Sequence, residues 1–127
     1  MFRFFLLGIF GALWFCRMTK EEFSFLFRAE CRQHKIADVE LVFLGESKST
    51  LAIAKGHDSC LWIFDGALSL SYQNTIELIR HELAHILDFR DGGWKRKGSR
   101  WDIHGANWKK FCAILGCKAR TSIPRVG

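Results

Sequence analysis

A chain of 127 residues, 49% hydrophobic and 25% charged, can support one domain with a packed core, which excludes a disordered or low-complexity polypeptide. Its five cysteines are odd in number and irregularly spaced, which excludes a disulfide framework and points to a reducing, cytoplasmic compartment. The net charge of +6 is uneven: residues 1–85 carry nine Lys and Arg against ten Asp and Glu, and residues 86–127 carry ten against three.

Residues 4–16 are an apolar run of thirteen between Arg3 and Arg17. A membrane-spanning helix needs about 20 residues, and no small-residue cleavage site follows the run. Residues 1–17 therefore read as a separate hydrophobic segment. Either it lies upstream of a true start at Met18, or it forms an extra helix or a membrane anchor.

Thr19-Lys20-Glu21-Glu22 is a capping box for a helix over residues 19–35, with Phe23, Leu26, Phe27 and Cys31 on one face. Residues 39–44 and 51–55 read as strands separated by the turn-prone Gly45-Glu46-Ser47-Lys48. Residues 60–64 form a third short apolar strand. Asn74-Thr75-Ile76-Glu77 is a second helix start. Ile76, Ile79, Leu83 and Ile86 then recur at helical spacing as a buried stripe. Leu78, His81, Glu82, His85 and Asp88 fall on another face, and Asp91-Gly92-Gly93 ends the helix. A basic loop leads to a last helix, opened by His104 and bearing Trp108, Phe111, Cys112 and Leu115. Helix, small sheet, then two helices is an α+β order, with residues 121–127 left as a tail.

His81-Glu82-Leu83-Ala84-His85 carries the chemistry. On a helix, His81 and His85 lie roughly 40° apart around the axis and about 6 Å along it, so both imidazoles can meet one metal ion. Glu82 is then placed to take a proton from a metal-activated water. A catalytic zinc usually has three protein ligands. No glutamate follows Glu82, which removes the class that uses a later glutamate. The compact pattern that needs glycine and histidine further along the helix meets Asp88 and Asp91 instead. His104 remains. Asp88 lies about 20° from His81 around the helix, and can either bind metal or accept a hydrogen bond from a ligand imidazole. Cys60-Leu61 resembles the cysteine ligand of peptide deformylases, but their glycine-rich motif is absent. His34 and His57 have no partner pattern and read as surface or turn residues.

The two-part pattern H-E-L-A-H, a basic aromatic loop, then His104-Gly105-Ala106-Asn107-Trp108 resembles the SprT-like zinc metalloproteases, the Spartan-related DNA–protein crosslink proteases. The resemblance covers roughly residues 19–120, and its specific part runs from Glu77 to Gly116. It implies a small zincin-like fold over residues 18–120, with an N-terminal helix, a three-stranded sheet, the H-E-x-x-H helix and a closing C-terminal helix. It implies Zn2+ held by His81, His85 and His104, with Glu82 as general base in peptide-bond hydrolysis. Protein substrates on DNA, and a role in DNA repair, are implied in the same way. Many members carry a four-cysteine zinc ribbon after the core. Cys112 and Cys117 do not have its spacing, so that module's DNA-binding role does not carry over.

The loop Gly93-Trp94-Lys95-Arg96-Lys97-Gly98-Ser99-Arg100-Trp101 mixes cations with two indoles. Lys95, Arg96, Lys97 and Arg100 can neutralise phosphates, while Trp94 and Trp101 offer stacking faces for unpaired bases. Equally, it reads as a solvated loop whose tryptophans pack inward. Tyr72 and Arg100 are the candidates for a further oxyanion donor. Two other readings stand beside the protease: a non-catalytic zinc-containing DNA-binding module, and a membrane-anchored metallopeptidase.

Overall fold

The computed structural model describes residues 17–120. The N-terminal hydrophobic run and the tail, residues 1–16 and 121–127, lie outside the described residues. Within them the order of elements is the expected α+β one: three helices, a three-stranded mixed sheet and a two-stranded ribbon.

Helix α1, Lys20–Gln33, starts on the predicted capping box. The Thr19 hydroxyl accepts from the Glu22 amide at 3.0 Å, and Glu22 Oε1 accepts from the Thr19 amide at 2.8 Å. Such a cap contributes about 1 kcal/mol. The helix buries Phe23, Leu26 and Phe27 in a core that also takes in Met18. It buries Glu30 as well, because Arg80 reaches it from the next helix, Nε donating to Glu30 Oε1 at 2.7 Å.

Strands β1 (Glu40–Phe43), β2 (Ala52–Lys55) and β3 (Cys60–Ile63) form one sheet in the order β1-β3-β2. β3 runs parallel to β1 and antiparallel to β2. Directly paired residues share a sheet face. The register Leu41–Leu61, Phe43–Ile63, Ala54–Leu61 and Ala52–Ile63 therefore lays one apolar face against the helices. On that face β2, an edge strand, presents only alanines.

Helix α2, Tyr72–Arg90, runs across the sheet. It begins before the predicted Asn74 cap, because the Ser71 hydroxyl accepts the Asn74 amide at 3.1 Å. The Thr75 hydroxyl in turn donates to the Ser71 carbonyl at 2.8 Å, which reinforces the earlier start. Leu83 and Ile86 are fully buried on the predicted stripe, each worth about 1.5–3 kcal/mol. His81, Glu82, His85 and Asp88 are buried too. The helix is wrapped on two sides, by the sheet and by the last helix.

The predicted basic loop is a ribbon, with β4 (Lys95–Lys97) antiparallel to β5 (Arg100–Asp102). Helix α3, Ala106–Leu115, is capped by Gly105, so His104 precedes the helix instead of standing in its first turn. Gly116 ends α3 at φ 81°, a conformation glycine adopts without a Cβ penalty. The amides of Gly116 and Cys117 both close on the Cys112 carbonyl at 2.9 Å. Trp108, Cys112 and Leu115 seal α3 against α2. Among the described residues, no helix is long and apolar enough to cross a membrane. The described cysteines Cys31, Cys60, Cys112 and Cys117 are free thiols.

Candidate metal centre

His81 and His85 stand one turn apart on α2, as the motif spacing requires, with ring centroids 4.9 Å apart. His104 arrives from the turn between β5 and α3, its ring 4.9 Å from His85 and 6.0 Å from His81. Each of the three offers a ligand atom within 4.8 Å of the others. Tetrahedral zinc with nitrogen at 2.0–2.1 Å places its donors about 3.3 Å apart, so small side-chain rotations suffice.

The electrostatics suit a cation. Burial lowers His81 to about 4, aided by His104 and opposed by the Arg120 backbone. Burial likewise lowers His85 to about 3, aided by His81 and His104 and opposed by the Ile103 backbone. His104 is also lowered by burial, with Asp102 pulling the other way. All three imidazoles are therefore neutral at physiological pH, the form that ligates metal. The buried Nδ1 atoms of His81 and His85 have no hydrogen-bond partner. Three neutral imidazoles form a donor set for a transition-metal ion, not for calcium or magnesium.

Glu82, 6% exposed, reaches to 3.8 Å from His81 Nε2. Burial raises its carboxyl to about 8, and a cation at the imidazoles would pull it back down. His81, Glu82, His85 and His104 open onto a cavity of 260 Å3 completed by Ala52, Ile53, Ala54 and Ile103. The small side chains of β2 keep that space open. Trp108 backs the cluster, its ring centroid 5.1, 5.2 and 4.8 Å from those of His81, His85 and His104.

Asp88 stands outside the ligand group. Its expected bond to a ligand imidazole is replaced by one from Asn107, whose Nδ2 donates to Asp88 Oδ1 at 2.8 Å. Tyr72 opens α2, nine residues before His81, and so lies about 13 Å from the cluster along the axis. Arg100 is exposed on the ribbon. Neither lines the cavity. Cys60 lies on β3 and is not part of the histidine group. His57 packs on Phe89, with ring centroids 4.6 Å apart.

On the ribbon, Lys95, Arg96, Lys97 and Arg100 are all exposed. Trp101 is 44% exposed, with the Arg96 guanidinium 5.4 Å from its ring centroid. Trp94 packs edge-on against Phe89 at 5.1 Å and buries its Nε1.

Sequence reasoning missed Ala52, Ala54, Ile103 and Asn107. The strand itself was read, but only the alternating small residues Ala52 and Ala54 hinted that it borders a cavity, and Asn107 lay unread inside the second motif. Set against known protein families, curated proteins and solved structures, the chain matches none.

Proposed function

We propose that the chain is a zinc-dependent metallopeptidase of the SprT-like, zincin-like kind, acting on DNA-associated proteins. The observation that carries this reading is the convergence of His104 on His81 and His85 across eighteen intervening residues, with Glu82 buried beside them. A purely structural zinc site would leave Glu82 without a task.

Zinc held there by His81, His85 and His104 would polarise a scissile carbonyl and lower the pKa of a water molecule. Glu82 would be the base that takes the proton from an attacking water there and returns it to the departing amine. The edge strand β2 offers backbone N–H and C=O groups to an extended peptide lying in the cavity. Ala52 and Ala54 leave room for its side chains. The exposed ribbon of Lys95, Arg96, Lys97, Arg100 and Trp101 supports a DNA contact beside this cleft. The same ribbon is what favours the alternative, a non-catalytic zinc-containing DNA-binding module.

The test is cleavage of a DNA-binding protein by wild type and by Glu82→Gln, with and without single-stranded DNA, alongside zinc content. The peptidase reading expects cleavage by wild type alone, with zinc retained in both. Stimulation by DNA would support the assignment to DNA-associated substrates. No cleavage by either form, with zinc bound, would transfer the conclusion to the binding module.

A further inference from the structure

The third histidine poses a mechanical problem. His81 and His85 are fixed by one helix, but His104 sits at the end of an eighteen-residue excursion through an exposed ribbon. Something must return it to the same place each time. Resting on the metal-centre reading above, we infer that Asp88 is the positioning residue that does this, acting through Asn107.

Asp88 follows His85 by three residues on α2 and is 1% exposed. Asn107 follows His104 by three, in the first turn of α3. The 2.8 Å bond between Asn107 Nδ2 and Asp88 Oδ1 therefore joins the end of α2 to the start of α3, one short step beyond each metal ligand. A bond from a neutral donor to a buried carboxylate is stronger and more directional than an amide–amide bond. An unpaired carboxylate here would be costly.

The start of the excursion is tied to the same point. The Gly93 amide donates to the Asp88 carbonyl at 2.8 Å. A Cβ at Gly93 would overlap Asp88 Oδ1 and stand 2.6 Å from Asn107 Nδ2. Glycine is required for space at this position. The backbone entering the ribbon thus lies directly on the bond that closes it. Both ends of the excursion meet at Asp88, so the chain carrying His104 is tied to α2 independently of the ribbon between them.

The arrangement also places Trp108, the residue after Asn107. Its ring touches all three imidazoles, so an error in the first turn of α3 would reach every ligand at once. Losing a group that bonds directly to a metal ligand typically weakens metal binding 10–100-fold; Asp88 and Asn107 make no such bond, and act on His104 through the backbone that joins it to Asn107.

The experiment measures metal affinity, by chelator competition with Zn2+ and by the visible spectrum of the Co2+ form. Four proteins are compared: wild type, Asn107→Leu, the exchange Asp88→Asn with Asn107→Asp, and Thr19→Ala. Asn107→Leu keeps the branched outline of the side chain, with somewhat greater bulk, and removes the donor. The exchange restores an amide-to-carboxylate bond in the opposite sense. Thr19→Ala removes the α1 cap and lowers stability far from the metal, so it shows what a merely structural loss does to affinity. The inference expects Asn107→Leu to bind at least tenfold more weakly with an altered Co2+ spectrum. It expects the exchange to lie within about threefold of wild type and Thr19→Ala to bind as wild type. Wild-type affinity in Asn107→Leu would overturn the inference, as would an exchange variant as weak as Asn107→Leu. Affinity loss in Thr19→Ala matching that of Asn107→Leu would also overturn it, since the loss would then track stability alone. If wild type itself bound neither ion, the metal-centre reading would fall first and the inference with it.

Discussion

Trp108 lies flat on His85, ring centroids 5.2 Å apart and planes 14° from parallel, while the rings of His81 and His104 stand at 71° and 83° to it. The indole is fully buried, and its Nε1 makes no hydrogen bond. Its contribution is therefore shape and packing. Trp108→Ala should cost about 3–5 kcal/mol in urea unfolding and weaken metal binding, because the three imidazoles lose the ring they pack on. Trp108→Phe gives up no hydrogen bond and keeps a ring face, so it should retain most of the affinity. Equal affinity in all three proteins would show that the indole does not shape the site.

The metal-stripped protein should have a stability maximum near pH 6.5. His81 and His85, held at about 4 and 3, stay neutral in the fold while the unfolded chain takes up protons below 6.5. That contribution to stability is present above 6.5 and is lost as pH falls. Glu82, raised from 4.5 to about 8, works the other way. The folded carboxyl keeps a proton that the unfolded chain releases, so its contribution is lost as pH rises from 4.5 through 8. Two imidazoles outweigh one carboxyl up to 6.5, and above that Glu82 acts alone. Melting temperatures in chelator from pH 4 to 8, below the range in which the thiols of the unfolded chain ionise, should rise and then fall. Glu82→Gln should abolish the alkaline decline, and a decline that persists in it would assign the effect elsewhere.

What the sequence disclosed were features with local causes. The Thr19–Glu22 box needs only four residues, and the stripe through Ile79, Leu83 and Ile86 needs only helical spacing. The ends of elements were harder to read. Ser71 and Asn74 are both good caps, and the choice between them turned on the Thr75 hydroxyl bonding back to Ser71. His104 could be named as the remaining histidine candidate, but Gly105 capping α3 is what places it before the helix. The two tryptophans part company for a reason set by packing. Trp101 stands opposite Arg96 across the ribbon, whereas Trp94, just before it, turns onto Phe89. The Asp88–Asn107 bond spans 19 residues, and no local pattern announces it.

Glu30 and Arg80 make a second testable joint, between α1 and α2. Arg80 Nε and Nη2 meet the two Glu30 oxygens at 2.7 and 3.4 Å, and Nη1 donates to the Gly116 carbonyl at 3.4 Å. The Arg80 side chain is 23% exposed against 8% for Glu30. Arg80→Met should cost about 2–3 kcal/mol, below the 3–5 typical of a fully buried pair, because it leaves the Glu30 carboxylate with only His34, 3.6 Å away, beside it. Adding Glu30→Leu should recover most of that loss, since both charges are then gone. A double variant no more stable than Arg80→Met would mean that the arginine acts mainly through Gly116 and the end of α3.

The ribbon separates the two roles of its indoles. Reversing Lys95, Arg96 and Lys97 to glutamate should weaken single-stranded DNA binding and flatten its salt dependence by about 0.7 in logarithmic slope for each lost phosphate contact. Trp101→Ala should cost about 1–3 kcal/mol of binding if its exposed face stacks on a base. The arithmetic differs for Trp94. Its ring packs on Phe89 and its Nε1 is buried, so Trp94→Ala should lower the melting temperature while leaving the salt slope unchanged. Fluorescence anisotropy of a labelled oligonucleotide across a salt series reads both quantities. Binding unchanged by the triple reversal would remove DNA from the function of this face, leaving the ribbon as a hairpin packed through Trp94 and Trp101 on Phe89 and His57.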